Sequence, residues 1–144
     1  MRLNHIFFIV FVLLPWQLYA LGVDLSFKEL YQKHNDAIDK VFLCGSWKDD
    51  SKEGVYRITH AFLYAQSYLY IQQMHFDQAL GSYQSVHTIS IKEFNHDHAE
   101  VSLEGLHCSK YKKGIVLNAE AYYGHENKSR QLNIKITGTN YSLK

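Results

Sequence analysis

The spacing of apolar residues changes about a third of the way along the chain. From residue 24 to residue 42 they recur three and four positions apart, which predicts a helix with one buried face. Ser26 and Glu29 form a capping box, in which each side chain bonds a free backbone amide of the first turn. After residue 42 the spacing falls to two, which is the period of half-buried β-strands.

Alternating segments occupy most of the chain beyond the helix, and polar turns separate them. These segments are residues 55–63, 68–76, 86–94, 99–108, 115–123 and 132–136, with a short apolar piece at 43–47. Residues 61–80 alternate less cleanly and could form a helix face, although their tyrosines and isoleucine favour a strand. Short connections predict an antiparallel meander. We therefore expect an α+β fold, with one N-terminal helix packed on five to seven strands that could curve into a barrel.

The first twenty residues have the pattern of a secretory signal peptide. Arg2 precedes an unbroken apolar run at 6–14, Pro15 ends this run, and Ala20 is a small residue before a cleavage point. A helix that spans a bilayer needs about 20 apolar residues, and this run is only about half as long. The sequence thus predicts a signal peptide at 1–20 and a single domain at 21–144. The domain would be secreted or periplasmic, without stable membrane insertion once the signal is removed.

Cys44 and Cys108 are the only cysteines in the chain. In an exported protein a pair of cysteines predicts one disulfide, and two buried free thiols are the alternative. Because Cys44 closely follows the predicted helix, we expect the bond to tie the helix exit to a strand within the sheet and to hold Trp47 beside Leu106. The two Cα atoms should then lie within about 7 Å of each other.

Charge and composition narrow the function. The chain of 144 residues has fifteen Lys and Arg against fourteen Asp and Glu, so it lacks the basic surface of a nucleic-acid binder. Its eleven tyrosines are more than a small core needs, and tyrosine is common at binding surfaces. Ordinary packing on a sheet is the competing interpretation. Trp47, Tyr56, Tyr68 and Tyr70 are the candidate binding residues.

No motif in the chain predicts catalysis or a cofactor. The string Cys44-Gly45-Ser46-Trp47 resembles a cysteine-protease pattern but lacks the second cysteine, which is the nucleophile there. Glu93, His96 and His98 could offer three metal ligands, but a solvated polar turn explains them as well. His60 is expected to be a half-buried histidine with its hydrogen bonds satisfied. We therefore expect that the protein is not an enzyme and that it has no metal site and no cofactor.

Gly45-Ser46-Trp47 after a helical segment resembles the Gly-x-Trp motif that opens the first strand of lipocalins. That resemblance implies a cup for a small apolar ligand with Trp47 at its floor, and Arg130 or Lys135 as the basic residue packed on the tryptophan.

A second resemblance covers about two thirds of the chain after the signal. The leading helix, Cys44, the segments 55–58 and 70–76 with the pair His75-Phe76, and the strands 89–92 and 99–103 resemble the VirK family of small exported bacterial proteins. The chain departs from that family around Ala65-Gln66, where the usual glycine-bounded turns are missing. The resemblance implies a virulence-associated context without a catalytic site. The expected function is an exported, non-enzymatic protein that contacts an unidentified protein partner; the alternative is a lipocalin-like carrier.

Overall fold

The computed structural model describes residues 24–96 and 98–144, so the predicted signal segment lies outside the described residues. These residues form two helices, a short 3₁₀ turn and eight strands. In chain order they are α1 Phe27–Lys33, the 3₁₀ turn Asn35–Ala37, β1 Ile38–Lys48, β2 Glu53–Leu63, β3 Gln66–Asp77, β4 Ser82–Ser90, α2 Lys92–Asn95, β5 Val101–Tyr111, β6 Gly114–Tyr123, β7 Lys128–Thr137 and β8 Asn140–Leu143.

The strands form two separate antiparallel sheets, ordered β1-β2-β3-β4 and β5-β6-β7-β8. The antiparallel meander is therefore confirmed. The described residues form neither a single sheet nor a closed barrel, and there are eight strands instead of the expected five to seven. The chain passes from the first sheet to the second through α2, which replaces the C-terminal part of the strand predicted at 86–94.

The predicted helix at 24–42 is correct only in its first part. The capping box is present, because Ser26 Oγ accepts the Glu29 amide at 3.2 Å and the Glu29 carboxylate accepts the Ser26 amide at 3.2 Å. The helix ends at Lys33, where His34, Asn35 and Asp36 follow, and such residues favour turns over helix interiors. Residues 38–48 are strand β1. Within β1, Phe42 and Cys44 pack on the core while Val41 and Leu43 are exposed, so the buried positions alternate as in a strand and Val41 lies outside the buried face that the helical spacing predicted.

The ambiguous segment 61–80 is mainly strand, as the tyrosines indicated. Leu63 pairs with Gln66, so Tyr64 and Ala65 form a two-residue hairpin turn. Both turn residues have positive φ, 53° and 60°. Two-residue hairpin turns require this backbone conformation, which residues other than glycine and asparagine seldom adopt. The sequence offered no turn signal at this place because neither residue is a typical turn former.

One large hydrophobic core lies between the inner faces of the two sheets. Tyr56, Ile58, Leu69 and Ile71 come from the first sheet, and the second sheet contributes the alternating apolar residues of β5, β6 and β7. A smaller cluster lies on the other face of the first sheet, where α1 covers Ala61, Tyr68 and Tyr70 with Leu25 and Leu30. The expectation that the helix packs on a sheet face is confirmed.

The predicted disulfide between Cys44 and Cys108 is present, with the Cα atoms 6.3 Å apart. It joins β1 to β5 and therefore ties the two sheets together. The expected tie between a helix and a sheet is wrong, because Cys44 lies in the middle of a strand, eleven residues after the helix ends. Trp47 and Leu106 belong to the same core cluster.

Candidate functional site

The four candidate binding residues are all buried. Trp47 is 3% exposed and packs with Tyr56 in the core between the sheets, while Tyr68 and Tyr70 lie beneath α1. The Tyr56 hydroxyl donates to the Gly138 carbonyl at 3.3 Å, and the Tyr70 hydroxyl donates to the Leu25 carbonyl. Burial raises the pKa of both hydroxyls, most strongly for Tyr70. In this structure these side chains stabilise the fold and are at most 3% exposed.

The Gly45-Ser46-Trp47 motif has a structural explanation in this chain. The pairing of β1 with β2 shifts register between Cys44 and Ser46, so Gly45 lies in a β-bulge, where its φ is +57°. A Cβ at this position would lie 2.3 Å from Ile115 Cγ2. Glycine is thus required both by the backbone conformation and by the close approach of β6. The bulge turns Trp47 into the core.

Three polar side chains, Asp39, His60 and Ser67, form a hydrogen-bonded relay that the sequence did not indicate; His60 and Ser67 are buried, whereas the Asp39 side chain is 60% exposed. His60 Nδ1 lies 3.1 Å from Asp39 Oδ2, and His60 Nε2 lies 2.9 Å from Ser67 Oγ. The Asp39 carboxylate can only accept, so neutral His60 carries its proton on Nδ1 and accepts the Ser67 hydroxyl proton at Nε2. Ser67 Oγ also accepts the backbone amide of Leu103 at 2.9 Å.

The relay contains the same residue types as a hydrolase triad, Asp, His and Ser, but the burial of its histidine and serine is typical of a structural hydrogen-bond network. Ser67 has no exposed surface and His60 is 6% exposed, so a substrate could not reach the hydroxyl in this conformation. The chain of bonds runs from β1 through β2 and β3 to Leu103 in β5, and it therefore links the two sheets. Burial lowers the pKa of His60, and the bond to Asp39 opposes this only in part. The expectation of a satisfied histidine at position 60 is confirmed.

An open cleft of about 420 Å³ lies outside the core, between the start of α1, the outer face of β3 and β4, and α2. Leu25, Phe27 and Tyr70 form its apolar part, while Thr88 and Ser90 of β4 line one side. Asn95 fixes the neighbouring backbone, because its side chain donates to the Leu69 carbonyl at 2.8 Å and accepts the Leu69 amide at 2.7 Å. The cleft wall is therefore built on firmly bonded backbone.

The hairpin of β3 and β4 carries exposed apolar side chains near its tip. Phe76 and Tyr83 are opposite each other across the two strands, with ring centroids 5.3 Å apart, and both are about half exposed. Leu80 in the turn is 66% exposed and Val86 is 40% exposed. We call these four residues the hairpin patch. Exposed apolar residues grouped in this way are typical of contact surfaces.

Comparison with protein-family models, with curated proteins and with solved structures found no match. The VirK and lipocalin resemblances therefore rest on the quoted sequence segments alone. Within the described ranges, no group of three or more His, Cys, Asp or Glu side chains is placed to hold a metal ion. In the same part of the chain, no helix combines the length and apolar character needed to cross a bilayer.

Proposed function

We propose that the chain is an exported binding protein that acts by protein–protein contact, without catalytic turnover, and that the hairpin patch is part of its contact surface. The observation that carries this proposal is the exposure of Phe76, Leu80, Tyr83 and Val86 on one hairpin. Aromatic residues that are half exposed on a rigid sheet supply contact area at a low cost in conformational entropy. The accessory role implied by the VirK resemblance is compatible with this proposal.

The burial of Trp47 and the charged residues beside it favour protein contact over transport of a small apolar ligand. A lipocalin-like carrier would need an enclosed space next to Trp47. Trp47 packs among core residues from both sheets and is 3% exposed. The space of about 400 Å³ that Trp47 helps to line is open on one side and is bordered by Lys48, Asp49, Asp50, Lys112 and Lys113, which do not suit an apolar ligand. The cleft beside α1 lies outside the core and is open to solvent.

A photo-crosslinking amino acid at position 83, introduced in the cells that naturally produce the protein, tests the proposal. Position 122 is the matched control, because Tyr122 is also an exposed tyrosine but lies on β6 of the other sheet. We expect a discrete protein adduct from position 83 that excess unmodified protein suppresses, and no such adduct from position 122. Equal labelling at the two positions would contradict the proposal.

A further inference from the structure

Strand β4 lies at the edge of the first sheet, and its hydrogen-bonding pattern with β3 shows which of its backbone amides and carbonyls point away from the sheet. The Ile91 amide donates to the Leu69 carbonyl at 3.2 Å, so Ile91 faces β3. Alternate residues of an antiparallel strand face the same neighbour, and the register is regular from Gln73↔His87 to Tyr70↔Ser90. Ile89 therefore also faces β3, whereas the amides and carbonyls of Thr88 and Ser90 point away from the sheet.

This edge differs in charge from the other long edge strands. Residues 78–91 contain no Asp, Glu, Lys or Arg, and the exposed strand β4 lies entirely within them. In contrast, β1 carries Asp39, Lys40 and Lys48, and β5 carries Glu104 and Lys110. Charged side chains are a common way to prevent an edge strand from pairing with another chain. The fourth edge strand, β8, has only four residues.

The cleft lies directly beside the free part of the edge. Thr88 and Ser90, whose backbone groups point outward, also line the cleft, and its apolar part is formed by Leu25, Phe27 and Tyr70. Its volume of about 420 Å³ is within the range of about 300 to 1,000 Å³ that is usual for ligand pockets. A strand placed against β4 would therefore project one of its side chains toward an apolar recess.

We propose that the partner binds as an extended, uncharged polypeptide segment, an inference that rests on the proposed function. This segment pairs with the free edge of β4 and places a large apolar side chain in the cleft between α1 and α2. The backbone bonds to Thr88 and Ser90 hold the segment, and the cleft selects the side chain. In strand addition of this kind, main-chain hydrogen bonds supply affinity and a side-chain pocket supplies specificity. Because β4 carries no Asp, Glu, Lys or Arg, it offers no opposite charge to a charged segment, and the charged residues of the cleft, Asp24 and Lys92, are one of each sign; an uncharged segment is therefore the matching partner.

A phage-displayed library of linear heptapeptides, selected on protein produced from the full chain, provides the probe. We expect enrichment of uncharged sequences that share one large apolar residue. Amide hydrogen exchange is then measured by NMR with the enriched peptide added at saturation. Exchange at Thr88 and Ser90 should slow about tenfold or more, because their amides become hydrogen-bonded. Exchange at Ile89, which already faces β3, is the internal control and should change little.

Two variants of one position test the same contact without NMR. Thr88→Pro removes the outward amide, and proline is tolerated on an edge strand where the N–H faces solvent. Thr88→Val is the matched control, because it keeps the amide and the β-branched shape and loses the same hydroxyl. The enriched peptide should bind Thr88→Pro about tenfold more weakly than wild type and should bind Thr88→Val almost as well as wild type.

The inference is overturned if no peptide is enriched, if the enriched peptide binds both variants equally, or if peptide addition protects amides elsewhere in the chain. Any of these results together with a specific adduct at position 83 would leave protein contact at the hairpin patch standing and remove only strand addition. Failure of the crosslinking experiment with successful protection of Thr88 would instead restrict the contact to the β4 edge and the cleft.

Discussion

Strands β3 and β7 are both interior strands of four-stranded sheets, yet their burial patterns differ. In β3 nine consecutive residues, 66–74, are buried. In β7 the buried residues Leu132, Ile134 and Ile136 alternate with exposed or half-buried ones. The first sheet is covered on both faces, by the common core on one side and by α1 on part of the other, whereas the outer face of the second sheet meets solvent.

This difference explains why β7 was the clearest strand in the sequence and β3 the least clear. A period of two appears only when one face of the strand is wet, because polar residues are then favoured at every second position. The surface that we propose for partner binding lies on the first sheet, at its free edge and beside the helix that covers it. The less regular sheet is thus the one that carries the candidate site.

The comparison is tested most strongly by adjacent residues in the two strands. In β3 both Leu69→Ala and Tyr70→Ala should destabilise the protein, by about 2 to 5 and about 3 to 5 kcal/mol, because the two side chains are buried on opposite faces. In β7 Ile134→Ala should cost about 2 to 5 kcal/mol and Asn133→Ala less than about 0.5 kcal/mol. Urea unfolding measures all four. A cost at Tyr70 as small as that at Asn133 would show that α1 does not stabilise the outer face.

The disulfide is a covalent cross-link between the two sheets in addition to the chain connection through α2, and its removal should have the next largest effect. The double variant Cys44→Ser, Cys108→Ser should lose about 2 to 5 kcal/mol of the free energy of unfolding, since the reduced chain gains conformational freedom when it unfolds. Chemical reduction of the wild-type protein is the matched control and should give a similar loss. A change below about 1 kcal/mol in both samples would mean that noncovalent packing alone holds the sheets together.

The Asp39–His60–Ser67 relay predicts a pH dependence of stability. The pKa of His60 is lowered by burial, so the unfolded chain takes up a proton at a higher pH than the folded one does. Stability should therefore be full above the unfolded pKa of about 6.5 and should fall as the pH decreases below it. Each unit by which the folded pKa lies below the unfolded one contributes about 1.4 kcal/mol.

His60→Gln removes this titration and is the variant to compare. The free energy of unfolding, measured between pH 8 and pH 5 (roughly the window in which histidine titrates), should fall less steeply for His60→Gln than for wild type. Equal slopes would show that His60 does not contribute to the acid sensitivity. The charged groups near His60 are Asp39, which opposes the shift, and Lys40, which reinforces it.

The smallest expected effect is at the cap of α1. Ser26→Ala removes the acceptor of the Glu29 amide and should cost about 1 kcal/mol, the usual loss for an N-cap serine. Ser129→Ala, at an exposed position on β7, is the matched control and should change stability by less than about 0.5 kcal/mol. Thermal unfolding followed by circular dichroism compares the two. Equal effects would mean that the cap does not stabilise the helix on the first sheet.

The parts of the fold that could be predicted are strands with one buried and one exposed face, and elements marked by a short local motif such as the capping box. The start of α1 was identifiable from Ser26 and Glu29, because capping depends only on residues three positions apart. The end of α1 was not identifiable, because Ile38, Val41 and Phe42 continue the helical spacing of apolar residues into β1. The uncharged run at 78–91, which marks the free edge of β4, is visible in the sequence, but its meaning depends on knowing which strands lie at an edge.

The sequence by itself indicated the predominance of β-strands after an N-terminal helix, the antiparallel connections and, as the favoured alternative, the pairing of the two cysteines. These follow from local spacing, short loops and the fact that only one pairing of Cys44 with Cys108 is possible. The tertiary structure alone decided that the strands form two sheets, that the disulfide joins them, and that Tyr56, Tyr68 and Tyr70 are buried. A tyrosine suits a core and a binding surface equally well, and only the position of the second sheet and of α1 removes it from water.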